Sequence, residues 1–197
     1  MRKFLLASSL ALAFATAASA DDGGARDGMR FRAHLVGGDL NGNVILTRAT
    51  GEAQLSVIDN GHAIRFNVNI AGIRNLWQAH IHIAPQGPVA PNQPVGPIVF
   101  FFVPTIPGAP NSNVPGPVNG EMSGGFVFTD AQLVGPLTFD ANDPADTGVA
   151  GLVKAIEEQR ATIVVHTSDL NPADDQHPGV AGDSPAGEIR GLIQPAD

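Results

Sequence analysis

Cysteine is absent from the 197 residues, and so is tyrosine. Without thiols the chain has no disulfide framework, zinc ribbon, iron–sulfur cluster or thiol nucleophile, and no N-terminal cysteine to carry lipid. Charge is sparse: 15% of residues are charged against 43% hydrophobic, a balance unlike that of a disordered chain. Long helices are disfavoured, because Gly (23) and Pro (16) together take a fifth of the positions and both interrupt helical ladders. The common catalytic signatures are missing too: no P-loop, no H-E-x-x-H, no G-x-S-x-G, and no strand–helix alternation for a Rossmann fingerprint. Of eight serines, three lie in the first twenty residues and none in a nucleophile elbow. A serine hydrolase is therefore not expected.

What is present begins with a leader. Arg2 and Lys3 precede an apolar run from Phe4 to Ala15, and Ala18-Ser19-Ala20 is a small-residue cleavage signature. This reads as a secretory signal peptide cut after Ala20, and it places the mature protein in the periplasm or outside the cell. No other stretch approaches the ~18 apolar residues of a membrane span. Removing twenty residues, Arg2 and Lys3 among them, leaves 177 with 9 basic and 19 acidic groups; Lys154 is then the only lysine. A formal charge of −10 repels phosphate backbones and anionic lipid surfaces, so neither nucleic acid nor membrane is an expected partner. A chain of this length buries a core without disulfides. One domain over residues 29–197 is expected, after a loose polar leader at 21–28.

Period-two alternation starts with Phe31, Ala33 and Leu35 on one face and Arg30, Arg32 and His34 on the other, the pattern of a half-buried strand. Residues 51–58 and 62–70 flank Asp59-Asn60-Gly61 and predict a β-hairpin. Further strands are expected at 77–84, 97–103, 120–128, 161–167 and 187–193, with Pro97 to Val103 apolar enough to be buried on both faces or to sit at an interface. From Pro85 to Val118 ten prolines and four glycines fall within 34 residues, which predicts loop around the strand at 97–103, its most Pro-rich part at 104–118. One amphipathic helix is expected over 147–159, where Val149, Leu152, Val153 and Ile156 share a face behind Asp146 or Thr147 as cap. Together these predict an all-β fold, an antiparallel sandwich or barrel with one short helix.

Histidine carries the chemistry. His80 and His82 stand at i and i+2 on a strand, so both rings leave one face while Ala79, Ile81 and Ile83 fill the core on the other. His166, near the end of a later strand, offers a third imidazole. Three neutral imidazoles suit copper, zinc or nickel, and copper stands highest in the Irving–Williams order. Binding requires the ring nitrogens to converge within about 4 Å. The alternative is a hydrogen-bonded pair of ordinary strand histidines. His34, His62 and His177 lack this geometry and are expected to be exposed. The acidic run from Asp140 to Asp146 fails as a calcium loop, since Ala145 and Gly151 replace the required glycine and glutamate. Glu188 and Arg190 are expected to point outward together, as an ion pair pinning the terminal strand or as a charged guide beside the metal. Trp77 is expected to be a partly buried anchor.

The segments Phe31 to Gly37 (FRAHLVG), Ala79 to Ala84 (AHIHIA), Gly96 to Val99 (GPIV), Val165 to Thr167 (VHT) and Gly187 to Gly191 (GEIRG) resemble, in this order, the CHRD domain. That domain is named for chordin, a secreted binder of growth factors, and is found in many exported bacterial proteins. The resemblance runs over about residues 29–194 and implies a β-sandwich or barrel of superoxide dismutase-like, Greek-key type. It departs from the family in a longer Pro-rich insertion and a longer stretch after His166. A fainter resemblance is to Cu,Zn superoxide dismutase, which would make His80, His82 and His166 copper ligands and Arg190 an anion guide. The bridging and zinc-site histidines and the disulfide of that family are missing here. The expected function is an exported binding module for an unidentified protein or small-molecule partner, with copper on three histidines. The alternatives are a copper-dependent oxidoreductase acting on superoxide or a related small oxidant, and an adhesive interaction domain without metal.

Overall fold

The computed structural model describes residues 26–84, 88–90, 93–103, 118–134, 147–169 and 180–196. The expected signal peptide, residues 21–25 of the expected leader, residues 104–117, the Asp140–Asp146 run and His177 lie outside the described residues.

Strand β1 (Arg30–Gly37) follows its alternation, burying Phe31, Ala33 and Leu35. It pairs antiparallel with β2 (Thr50–Ile58), which turns through Asp59, Asn60 and Gly61, all at positive φ, into β3. The expected strands at 62–70 and 77–84 are one strand: β3 runs unbroken from Ala63 to Ile83. Its first part alternates, and its last six residues are buried on both faces. The change falls at a corner. Register shifts occur between Ile70 and Ile73 and again between Ile73 and Leu76, and Gly72 and Asn75 adopt positive φ. A Cβ on Gly72 would lie 2.9 Å from the Arg48 carbonyl oxygen, so glycine serves both the turn and the close approach. Bulges let the ladder continue while the strand bends.

The bend allows β3 to serve two parts of the sheet. Along one edge it pairs with β2 and then with β6 (Ala161–Thr167). Along the other it pairs with β5 (Val118–Thr129) and then with β4 (Ile98–Val103). β6 leads to β7 (Ile189–Leu192), and Val36 and Gly37 of β1 pair with Arg190 and Ile189 of β7. That contact closes β1-β2-β3-β6-β7 into an antiparallel barrel; β8 (Gln194–Pro195) pairs with β1. The fold is the all-β class the alternation predicts.

Inside the barrel Phe66 stacks on Phe102 at 4.1 Å and Phe100 on Phe128 at 4.0 Å between ring centres. Helix α1 (Gly148–Glu157) adds Val149, Leu152, Val153 and Ile156 to the core. Burial of each large apolar side chain contributes about 1.5–3 kcal/mol. Asp146 lies outside the described residues, and Thr147, at the N-cap, makes no side-chain cap bond. Asp130 of the preceding 3-10 turn accepts from the Val149 N–H at 2.6 Å instead.

Candidate metal centre

Pleating divides the strand ends at β3, β6 and β7 into two faces. Ala79, Ile81, Ile83, Ile163, Val165 and Ile189 enter the core. The opposite face carries His80 and His82 on β3, Thr162, Val164 and His166 on β6, and Arg190 on β7. An outer barrel face commonly meets water, but this one is covered by loop. The Leu40 N–H donates to Ala186 O at 2.7 Å, and the Val95 N–H donates to Leu40 O at 2.9 Å, tying three loop segments together above the strands. Phe101 closes one side, its ring centre 4.5 Å from that of His80. The relative exposures of His80, His82 and His166 are 1%, 4% and 3%.

The loops also orient the rings. His82 Nδ1 donates to Gly96 O at 2.9 Å and His166 Nδ1 to Pro185 O at 2.8 Å. A carbonyl only accepts, so in both rings Nδ1 holds the proton and Nε2 a bare lone pair. His80 Nδ1 lies 3.2 Å from His166 Nε2 and must be the donor there, which leaves His80 Nε2 bare as well. Nε2 of His80 and of His82 are buried without a hydrogen-bond partner. Gly96 has to be glycine for this loop to descend: a Cβ there would lie 1.9 Å from Ile83 O.

Burial keeps the rings neutral. It pushes the His80 pKa from 6.5 down to about 2, helped by its two histidine neighbours. Burial likewise takes His82 to about 4, with the Gly96 bond opposing and His166 and Arg190 adding to the fall. His166 falls to about 4 by burial, against the bond to Pro185. Three unprotonated imidazoles are the state that binds transition metals, and carbonyl bonds to the far nitrogens are the usual means of aiming such ligands.

The ligand atoms of the three rings lie within 4.8 Å of one another. Before the 3.2 Å pair can share an ion, the proton on His80 Nδ1 must move to the opposite ring nitrogen; the pair then suits two bonds of about 2.1 Å, while the widest separation must contract by roughly half an ångström. Among the described residues this is the one group of three or more histidine or acidic side chains placed to hold a metal ion. His34 and His62 are exposed, as expected, and His34 Nδ1 contacts the Glu52 carboxylate. Trp77 is half-buried.

The expectation for Glu188 and Arg190 needs correcting. Both are buried beneath the loops, at 1% and 7% exposure, and they do not pair with each other. Glu188 accepts from Thr47 Oγ1, Thr167 Oγ1 and the Gly182 N–H. Arg190 Nη1 donates to Asp39 O and Gln93 O, each at 2.9 Å. Each side chain fastens loop to strand, because a buried charge on this face must find polar partners.

Thr162 was not singled out by the sequence. It pairs with His82 across the ladder, and its hydroxyl is buried without a partner. Counting back in twos from His166 places it on the histidine face, the one signal that finds it. An open cleft of about 570 Å³ lined by Leu46, Arg48, Arg74 and Glu188, among others, contains none of the three histidines.

The model of one family, the CHRD domain, matches residues 31–174. The match includes His80, His82 and His166 and stops short of Glu188 and Arg190. No curated protein matches the chain.

Proposed function

The chain belongs to the CHRD domain family, and from that premise we propose that it is an exported, non-enzymatic binding module that holds a copper ion on His80, His82 and His166. One observation carries the reading: three buried, unprotonated imidazoles face one another, two of them with Nε2 lone pairs that nothing accepts or donates to. Buried lone pairs left bare cost about 1–3 kcal/mol each, a penalty that a bound cation removes. The donor set fits an imidazole-binding metal, and the divalent series favours copper over nickel or zinc. Export rests on the leader sequence; no helix among the described residues is long and apolar enough to cross a membrane.

When bound, copper supplies a Lewis-acidic and redox-active centre. The protein's part is positioning: Gly96 O and Pro185 O fix two ring tautomers, and all three rings are buried. An oxidoreductase acting on superoxide has less support. Arg190, its candidate anion guide, is committed to two loop carbonyls, and the histidines are covered.

The test is titration of the mature domain with Cu(I) under anaerobic conditions and with Cu(II), Zn(II) and Ni(II), followed by calorimetry and absorption. Saturable one-to-one binding, lost in His82→Ala and His166→Ala variants that still fold, supports the reading. A spectrum and heat signal unchanged by every ion, in wild type and His82→Ala alike, would reject it.

A further inference from the structure

Charge at the centre adds a selectivity that the donor set alone does not. The three members of the cluster are neutral imidazoles, and no carboxylate belongs to it. The carboxylates nearby are turned to other work. Asp39 accepts from the N–H groups of Asn41 and Asn43 and from Asn43 Nδ2, each at 2.8 Å, and Glu188 accepts from two threonine hydroxyls and Gly182. Asp183, in the covering loop, lies outside the group. The charged side chain that acts on an imidazole is Arg190, a cation that helps lower the His82 pKa and is itself partly offset by the Asp39 carboxylate. It stands on the histidine face in the same cross-strand row as His80, with Val164 between them.

An ion entering this space keeps its whole charge, because no ligand neutralises it. The desolvation penalty of a buried ion grows with the square of its charge, and repulsion from Arg190 doubles between a monovalent and a divalent ion. Coordination number points the same way. Zn(II) wants a fourth ligand in tetrahedral array and Cu(II) a tetragonal set of nitrogen or oxygen donors. The three imidazoles by themselves offer neither, and the Thr162 hydroxyl on the same face is a neutral donor that compensates no charge.

We infer that the centre selects a monovalent over a divalent ion, holding Cu(I) in preference to Cu(II) and Zn(II). The inference rests on the metal-binding reading above. The divalent series ranks copper above nickel and zinc but compares ions of equal charge, so the choice between the two copper states falls to the charge of the site. Arg190 thereby acts twice, clasping the loops through its hydrogen bonds and biasing the ion through its charge.

The experiment is competition on the full mature domain. Cu(I) is offered anaerobically against a chromophoric Cu(I) chelator, and Cu(II) and Zn(II) against divalent chelators at the same pH. The inference requires Cu(I) to bind tighter than either divalent ion by about a hundredfold or more. A smaller or reversed ratio overturns it while leaving metal binding intact. Failure of all three ions to bind overturns the metal-binding reading and this inference together. Arg190→Gln keeps an N–H for the loop carbonyls and removes the charge. It is expected to narrow the Cu(I)-to-Zn(II) ratio by about tenfold, and an unchanged ratio overturns the part assigned to Arg190.

Discussion

At the residue scale the histidines are held by contacts that leave no room for a larger neighbour. Gly96→Ala places a methyl group against Ile83 O, so the loop must lift and carry Gly96 O away from His82. A loss of about 1–3 kcal/mol in stability is expected, together with weaker metal binding; urea denaturation and metal titration check the two effects. Protonation provides a second test. The folded rings refuse protons down to about pH 4 or below, whereas unfolded histidines accept them near 6.5. The unfolded state then binds more protons between pH 6.5 and 4, so metal-free stability falls as pH drops through that window. Each histidine contributes up to about 1.4 kcal/mol per pH unit. Denaturation midpoints at pH 7, 6 and 5 are expected to decline, and equal midpoints would mean that the rings are open to water. The three ligand candidates were legible because H-x-H on a strand fixes two rings on one side. Their burial was not, since the cover comes from loops 38–43, 93–97 and 180–187, whose placement depends on long-range hydrogen bonds that no local pattern encodes. For the same reason Glu188 and Arg190 read as outward residues of a terminal strand.

At the element scale alternation and turn chemistry located the strands and the helix within a few residues. The continuity of β3 escaped. Ala71 to Asn75 breaks the alternation and contains a glycine, which locally reads as a loop; pairing with β5 on one edge and with β2 and β6 on the other holds it as strand. Tertiary pairing overrides local preference here. Thr147 holds the N-cap position as expected, but the capping bond comes from Asp130, which reaches the helix from a different part of the chain. Asp130→Ala removes the bond to the Val149 N–H and is expected to cost about 1 kcal/mol, read from chemical denaturation. Metal affinity should not change, since α1 packs on the core rather than on the histidine loops.

At the scale of the whole molecule, closure of the barrel depends on the short β1–β7 ladder, with Leu35 fully buried beside it. Leu35→Ala is expected to cost about 2–5 kcal/mol. Unfolding should remain a single transition, because β3 pairs with β2, β4, β5 and β6 and through β2 and β6 is tied to β1 and β7; separate transitions by far-UV and near-UV dichroism would contradict that coupling. Metal-loaded protein should also show a flatter stability profile between pH 7 and 5 than metal-free protein, as ligation competes with protonation. The loop cover has one more consequence, in time rather than in energy. An ion beneath Leu40, Val95 and Ala186 cannot leave until the bonds between those segments open. Residence is then set by how often the backbone breathes, and every chelator strong enough to keep the freed ion would strip the protein at one and the same rate.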